Sequence, residues 1–544
     1  MEINKKFRKK ISSDKKNVNL GKMKLKVMTF NIRGVKSAKP ELELLLQKSK
    51  PDILLIQETF LSKKSYRCRI PGYTTIESKT ELTKGGNGLL IGVRNQSGLV
   101  LSEFINYPTW MVGLVQGKTK RNENFRINVV NVHMPSWGIR KKRTMNEIQS
   151  FLKNRNGTKD AIIFAGDFNM DIVRSDQFLK KSGIDFEHSR VSNSSGSRWN
   201  KNDMGRMIDH IFYYRIGSRP NWCIANKYLN ISDHFPITTE WDISAITRPP
   251  KKRKINVKKM ELVKDQLISS NRFDLLATDR IDINQSTKEL IDTIWEETDR
   301  LGAITDLTDP SEEKKIFLST KTIKKIKKKQ KVFRLFTKSK IDIETYIKAK
   351  NVAEKSKKQD SKKFYEKKLM KLNEYLTTNE SQKMWNFIKF STGKIKTSIT
   401  AGPVLDPNNV LITDSESKLK VWETHFKNLA KDSTGNSRTT EKWESLLNND
   451  VQIFPECDDS ITWYDITSAL KNIPNNKSPG MDGIPNEVWK LVSSEASPTS
   501  KVARIIFRIL KIIWDTGKIP ETMTTSIIVP VPKKGNLQDP NNYR

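Results

Sequence analysis

Between Leu25 and Trp241, eight short runs dense in β-branched and aromatic residues recur: LKVMTFNIR (25–33), DILLIQE (52–58), GLLIGVR (88–94), TWMVGLVQG (109–117), FRINVVNVH (125–133), AIIFAGDFN (161–169), MIDHIFYY (207–214) and HFPITTEW (234–241). Their length and composition predict strands. Apolar residues return every three or four positions only over 39–49, 140–154 and 175–182, which predicts three helices. Strands therefore outnumber helices, and the first, third, fifth and sixth runs stop at polar residues or turns. The expected class is α/β, with stacked sheets and helices outside them, not a simple doubly wound sheet.

The remainder of the chain is too long for one domain. At 544 residues it has room for two to four. Lys and Arg number 98 against 61 Asp and Glu, a net charge of +37, while 36% of residues are hydrophobic. That is too apolar for a wholly disordered chain. No run approaches the roughly 18 uninterrupted apolar residues of a spanning helix, and the basic start MEINKKFRKK lacks the apolar core of a secretory signal. Three distant cysteines (Cys68, Cys223, Cys457) exclude a disulfide scaffold and a Cys-rich zinc site. The cations are unevenly placed: residues 1–25 carry nine basic and two acidic groups, 301–400 carry 26 and 11, but 401–500 carry 9 and 15. Separate cationic zones suit a polyanion gripped at several places, with nucleic acid ahead of a protein partner or an anionic membrane surface.

Four regions follow: a basic disordered arm over 1–24, the strand-rich domain over 25–245, a Lys-rich helical linker over 246–400 and a third region over 401–544. Arg248-Pro249-Pro250 and the run Lys251, Lys252, Arg253, Lys254 mark the linker's start. Within it, Ile323, Ile326 and Phe333 form one apolar stripe under a basic face, and Tyr365, Leu369, Leu372 and Leu376 form another. The third region holds the loop NNKSPGMDG (475–483) and SIIVPVPKKG (526–535), a short strand broken by prolines.

The chemistry is carried by polar residues placed where apolar strands end. Asn31 follows VMTF, Glu58 follows DILLIQ, His133 follows INVVNV, Asp167 and Asn169 follow AIIFAG, Asp209 interrupts an apolar run, and Asp233-His234 precede FPIT. Singly, each reads as a turn former. Together they are complementary, because sheets bring distant strand ends to one rim. Phosphodiester cleavage needs a divalent cation, an activated water and a charge sink for the transition state. Oxygen ligands such as Glu58 and Asp233 suit Mg²⁺, with Mn²⁺ as the alternative. Asp167 can orient or deprotonate water, Asn31 and Asn169 can bind phosphate oxygens, and Asp209 can favour the imidazolium form of His234.

The segments TFNIRG (29–34), IQET (56–59), NVHMP (131–135), GDFN (166–169), IDHIF (208–212) and SDHFPI (232–237) resemble, in order, the motifs of the endonuclease/exonuclease/phosphatase superfamily. The resemblance covers roughly 25–242, and GDFN followed by SDH is its specific part. It implies a four-layer α/β sandwich with the metal at one rim. It places Glu58 on the family's metal-binding Glu, Asp233 and His234 on its final Asp-His, Asp167 on the water-activating Asp, Asn169 on the phosphate-contacting Asn, Asp209 on the carboxylate that orients the His, and Asn31 on the first motif's Asn. His133 replaces the Tyr of the abasic-site nucleases, which puts abasic-site repair in doubt and leaves the chemistry intact.

The second half resembles the product of a non-LTR (LINE-type) retrotransposon, in which a nuclease, a basic linker and a reverse transcriptase follow one another. KNIPNNKSPGMDGIPNEVWK (471–490) and GKIPETMTTSIIVPVPKKGNLQDPNNYR (517–544) are similar to polymerase fingers, and 405–426 to the segment ahead of them. This implies that Lys533 or Lys534, and Arg544, approach a nucleotide triphosphate. The palm carboxylates are not found, so the expectation is an incomplete reverse transcriptase without polymerase activity; Asp458-Asp459 reads as a loop. The resulting expectation is a Mg²⁺-dependent endonuclease that nicks DNA, with element RNA as a second partner of the basic linker and no membrane. PPKKRK (249–254) resembles a nuclear import signal and suggests an intracellular, nuclear protein. The alternatives are a non-enzymatic nucleic-acid-binding remnant of a decayed element and another phosphoesterase of the same superfamily. Trp199 reads either as a substrate-facing loop residue or as a cap on the core, Trp110 and Trp137 read as structural, and His188 and His425 have no assigned role. Loops 62–87 and 190–207 would set target preference.

Overall fold

The computed structural model describes residues 22–62, 68–121, 123–158, 160–200, 203–227, 229–247, 253–276, 282–306, 318–378, 380–391, 404–412, 415–433, 435, 443–444, 459–533 and 538–544. The arm expected over 1–24 falls outside these residues except for Lys22–Lys24, which already belong to a strand; Lys534, Asp458 and most of PPKKRK also fall outside. The chain divides into two compact units. The first takes Met1–Pro249, Asp309–Trp422 and Asn536–Pro540, the second Pro250–Thr308, Glu423–Gly535 and Asn541–Arg544.

The first unit is built on β1 (Lys22–Asn31), α1 (Val35–Ser49), β2 (Ile53–Gln57), β3 (Tyr73–Ser78), β4 (Leu89–Arg94), β5 (Val100–Asn106), β6 (Trp110–Lys118), β7 (Asn124–His133), α2 (Gly138–Lys153), β8 (Ala161–Asp167), α3 (Ile172–Lys180), β9 (Glu187–His188), β10 (Trp199–Asn200), β11 (Asp203–Met204), β12 (Asp209–Tyr214), β13 (Trp222–Ala225) and β14 (Ile237–Ser244). One six-stranded sheet runs β13-β14-β1-β2-β4-β3 and the other β5-β6-β7-β8-β12-β9. Within these two sheets, β1 with β2 and β7 with β8 pair in parallel, and the other neighbours are antiparallel.

Alternation along the central strands makes the layers. Leu25, Val27, Ile53 and Leu55 meet Met111, Val129, Ile163 and Ile211 between the sheets. Met28, Phe30, Leu54 and Ile56 face Leu42, Leu45 and Leu46 of α1, while Val130, Val132 and Phe164 face Ile148, Leu152, Phe178 and Leu179 of α2 and α3. Helix, sheet, sheet and helix form a four-layer α/β sandwich. The eight expected runs are β1, β2, β4, β6, β7, β8, β12 and β14. The four unexpected strands of the two large sheets, β3, β5, β9 and β13, are their four edges. Edge strands expose part of their length, as the mixed burial of β3 and β5 does, so they lack the continuous apolar signature of inner strands. Two regions expected as loops thus hold structure: β3 lies in 62–87 and the β10–β11 hairpin in 190–207.

A buried polar bridge crosses the apolar middle layer. Asn131 of β7 donates through Nδ2 to the carbonyls of Ile56 (3.0 Å) and Leu90 (3.0 Å) in the opposite sheet. Gln57 donates through Nε2 to Asn131 Oδ1 at 2.7 Å and to Thr29 Oγ1 at 3.0 Å. All three side chains are buried. The bridge ties the parallel pair β1/β2 to β7 near the strand ends and holds the sheets in one register.

Farther along, the longer helices are α4 (Ile283–Arg300), α5 (Thr320–Phe336), α6 (Ile343–Thr377) and α7 (Lys501–Thr516). The first unit includes α5 and α6. Ile326 and Phe333 are buried as the first stripe requires, whereas Tyr365, Leu369 and Leu376 of the second stripe are exposed. Lys329, in the run read as a basic face, is buried, with its Nζ 2.8 Å from Glu41 Oε2 on α1. No described helix is long and apolar enough to cross a membrane. The second unit is a helical cluster in which Leu290, Ile294, Ile466, Val488, Ile505, Ile506 and Ile509 form a common core. Residues Arg253–Ile255, expected in the linker, pair instead with Ile304–Asp306 as a short ladder. The NNKSPGMDG loop is fastened by Trp295 Nε1, which donates to the Asp482 carbonyl at 2.9 Å. SIIVPVPKKG forms no named strand among its described residues, but Val531 and Arg544 exchange backbone hydrogen bonds of 2.9 and 3.0 Å.

Replacing Asn131 by Leu keeps the volume and removes the inter-sheet bridge, leaving Gln57 with a buried, unpaired group. The first unit should lose about 1–3 kcal/mol of unfolding free energy, read as a lower denaturant midpoint of its Trp fluorescence; an unchanged midpoint would show that the bridge does not hold the sheets.

Candidate active site

The parallel pairs determine where the site lies, because the C-terminal ends of β1, β2, β7 and β8 reach the same rim. Asn31 closes β1, Glu58 follows β2, His133 closes β7 and Asp167 closes β8. His133 stands opposite Asp167 in register, and Asp209, first in β12, stands opposite Asp167 on its other side. Backbone bonds between the loops fix these ends: Gly34 N–H donates to the Glu58 carbonyl at 2.8 Å, Met134 N–H to the Asp167 carbonyl at 2.8 Å, and Phe168 N–H to the Ile208 carbonyl at 2.9 Å.

Non-glycine residues of the rim are left-handed at Glu58 (φ 50°), Asn169 (φ 48°) and, at its edge, Arg33 (φ 51°). Each costs about 1–2 kcal/mol of backbone strain, held by the surrounding contacts. Gly166, at φ 144°, permits the close pass of β8 along β7, because a Cβ there would sit 2.0 Å from the Val132 carbonyl oxygen.

The side chains form a continuous set of contacts. Asn31 Nδ2 donates to Glu58 Oε1 at 3.1 Å and to Asp167 Oδ2 at 3.0 Å, linking the two sheets. His133 Nε2 lies 3.2 Å from Glu58 Oε1. Asp167 Oδ1 accepts from the Asn169 backbone N–H at 2.9 Å, and Asn169 Nδ2 donates to the Met134 carbonyl at 2.8 Å. His234 Nδ1 is 2.8 Å from Asp209 Oδ2, and its Nε2 is 3.8 Å from Asp167 Oδ2. Glu58, His133 and Asp167 can offer ligand atoms within 4.8 Å of one another, as can Asp167, Asp209 and His234. Asn31 Oδ1 and Asp209 Oδ1 are buried without a hydrogen-bond partner among the described residues. Carboxylate and amide oxygens, one of them orphaned beside Glu58, are the donor set that a hard divalent cation takes, so these residues fit a metal ion.

Burial and charge oppose each other at Glu58 and at both histidines. Burial raises the Glu58 carboxyl, but His133, by hydrogen bond and charge, and Asn31 bring it down to about 2. Burial disfavours a charged His133, and Glu58 with Asp167 raises it above the usual value. The Asp167 carboxyl is raised by burial and then by the charge of Asp209. Burial would lower His234, but the Asp209 carboxylate, followed by Asp167 and Asp233, lifts it to about 9. At neutral pH the rim therefore holds an imidazolium locked on one carboxylate and facing another.

Six of the seven rim positions expected to act with Asp167 or bind metal are brought together with it or with its partners: Asn31, Glu58, His133, Asn169, Asp209 and His234. Asp233 is not. Its carboxylate turns outward to Arg33, with Oδ2 2.9 Å from the guanidinium, although its backbone carbonyl accepts from Trp199 N–H at 2.7 Å. Lys533 and Arg544 lie in the second unit; Lys533 N–H donates to the Asn542 carbonyl at 2.7 Å. Trp137, expected to be structural, is 84% exposed just before α2. Trp199 is half-buried against Phe333 and Phe336 of α5, with ring centroids 6.2 and 6.4 Å away, as a cap on a core. Sequence reasoning missed three supporting residues. Arg33 was visible only as part of TFNIRG. Ser197 Oγ accepts from the backbone N–H groups of Ile208 and Asp209 at 3.0 and 3.1 Å. His210 Nε2 is 3.0 Å from the Met170 carbonyl, inside a cluster with Phe168 and His188. No spacing signals the last two.

Residues 28–234 match the model of the Endonuclease/Exonuclease/phosphatase family. A curated protein of Xenopus laevis, "Transposon TX1 uncharacterized 149 kDa protein", is 27% identical over 104 residues; the match spans 19% of this chain and 8% of that protein. Among solved structures, similarity is found to the APE2 catalytic domain of Xenopus laevis (15% identity, 42% of this chain, 95% of that one, TM-score 0.33). It is also found to the endonuclease domain of TRAS1, a telomere-specific non-LTR retrotransposon (18% identity, 41% of this chain, 99% of that one, TM-score 0.32).

His234 gives a direct check in metal-free protein. Its raised value means that the imidazolium stabilises the fold fully below about 6.5, and that this contribution is lost as pH climbs through about 9. In NMR titrations His234 should titrate near 9, and Asp209→Asn should move it downward; a midpoint at or below 6.5 in the unaltered protein would contradict the pairing.

Proposed function

We propose that the first unit is a Mg²⁺-dependent DNA endonuclease that hydrolyses a phosphodiester to nick a target strand. The observation that carries this reading is the contact set from His133 through Glu58, Asn31 and Asp167 to His234 and Asp209. It brings a hard-oxygen ligand group, a candidate base and an imidazolium within a few ångströms of one another.

Glu58 and the Asn31 amide oxygen would hold Mg²⁺, Mn²⁺ being the substitute, and the ion would supply charge to the phosphate and its leaving oxygen. Asp167, whose carboxyl is raised by burial and the charge of Asp209, is suited to orient a water and take its proton. Asn169, fixed by its bond to the Met134 carbonyl, stands beside Asp167 to bind a phosphoryl oxygen. His234, kept charged by Asp209, neutralises the charge that develops on the phosphoryl oxygens. His133 holds Glu58 ionised. Asp233 acts through its charge on His234 and its pairing with Arg33, at the edge of the site.

DNA as substrate and a retrotransposon setting are supported by the cationic composition, the likeness to the Xenopus transposon protein and the resemblance of 471–490 and 517–544 to polymerase fingers. In that reading Lys533, Lys534 and Arg544 approach a nucleotide, and PPKKRK (249–254) directs the chain to the nucleus.

With Mg²⁺, the full chain should nick supercoiled plasmid, and Asp167→Asn or His234→Ala should slow nicking by about 10²–10³. A folded, metal-supplemented protein that binds DNA without nicking it would favour the non-enzymatic reading, and hydrolysis confined to small phosphomonoesters or lipids would favour another phosphoesterase.

A further inference from the structure

α5 carries eight basic side chains and no acidic one. Only Lys329 among them is buried, and it faces the nuclease fold. Its Nζ lies 2.8 Å from Glu41 Oε2 and donates to the Asn230 carbonyl at 2.9 Å; Lys357 of α6 reaches Glu41 Oε1 at 2.7 Å. Glu41 of α1 is 4% exposed, with ammonium groups from both α5 and α6 on its carboxylate. Removing one partner of such a buried set is costly, since a charge is then left unpaired in a dry site, so the helices are fixed to the domain.

The same docking reaches the active-site rim. Phe333 and Phe336 pack on Trp199. Trp199 N–H is bonded to the Asp233 carbonyl, and Arg198 is bridged to His234. A helix with no acidic residue is thereby held one side chain away from the segment that bears His234. Lys324, Lys327, Lys331 and Arg334 follow at steps of three, four and three, which puts them on one helical face, opposite Lys329. All four are exposed. At 1.5 Å per residue they span about 15 Å, a length of duplex that presents several phosphates per strand.

We infer that α5 is a duplex-DNA clamp of the nuclease unit, with Lys324, Lys327, Lys331 and Arg334 gripping the phosphate backbone beside the scissile bond. This rests on the reading of the rim as a DNA nuclease site. The Glu41–Lys329–Lys357 set is the clamp's anchor, and the Trp199 contact sets its place relative to His234. Charge complementarity and the position at the rim favour the DNA being cut over a separate RNA.

The test measures binding and not cleavage. Fluorescence anisotropy of a labelled DNA duplex is titrated with full-length protein in EDTA across a salt series, using the unaltered chain and a variant with Lys324, Lys327, Lys331 and Arg334 each changed to Gln. These side chains lie outward, and circular dichroism checks that helix content is kept. The variant should bind at least ten-fold more weakly, and its slope of log K against log salt should be shallower by about 3–4, at about 0.9 for each phosphate no longer neutralised. Changing four exposed lysines of the second unit, Lys254, Lys258, Lys288 and Lys471, to Gln should move the slope by less than about 1, the equivalent of a single phosphate. An unchanged slope in the first variant, an equal change in both variants, or a weakening confined to single-stranded RNA would each overturn the clamp. Because no cleavage is needed, a chain that binds as expected and never nicks DNA would count against the active-site reading and leave the clamp standing; nicking with an unaltered slope would do the reverse.

Discussion

The bond between Gln57 and Asn131 sits where the two sheets must agree. Apolar packing between sheets is nearly indifferent to a slide along the strands, since Val, Ile and Leu replace one another with little penalty. A buried amide pair is not indifferent, because its donors and acceptors would go unsatisfied after a shift. Gln57 is the last residue of β2 and immediately precedes Glu58; Asn131 lies two residues before His133. Fixing that pair therefore fixes Glu58 against His133. Asn31, opposite Gln57 in register, then falls within reach of Asp167. The site is the end of a ruler whose graduations are set in the core.

That arrangement explains why so many charged groups are tolerated in so little space. An isolated buried carboxylate would take up a proton. Here each carboxylate has an imidazole or amide donor, and each imidazole has a carboxylate, so charge is retained in a site largely cut off from water. Some frustration remains at the rim: an amide oxygen of Asn31 and a carboxylate oxygen of Asp209 lack partners among the described residues, and Glu58 and Asn169 hold strained backbone. Such features mark places where a ligand, and not folding, completes the structure.

Much of this was legible in the sequence, for physical reasons. Inner strands are apolar on both faces, so their ends are sharp, and the polar residues at those ends stand out. Edge strands β3, β5, β9 and β13 leave no such mark. Asp233 follows the motif yet faces Arg33, because adjacency in sequence to His234 does not determine which way a side chain points. Lys329 is the plainest case of illegibility. In a run of lysines nothing separates the one that is buried from those that are solvated, and its partner Glu41 lies 288 residues away. Ser197 and His210 act on backbone groups, which have no sequence identity to betray them. The second apolar stripe of α6, which periodicity marks well, is exposed in the first unit.

Whether the rim is a metal centre is open to one direct measurement: the anomalous scattering of crystals of the full chain grown with Mn²⁺. The ion's signal should lie on the Glu58 carboxylate beside Asn31, with the Asp209–His234 pair intact. A signal located instead on exposed acidic residues, with the Glu58–His133 and Asn31–Asp167 contacts undisturbed and no ion between them, would mean that these side chains satisfy one another and that the convergence is structural.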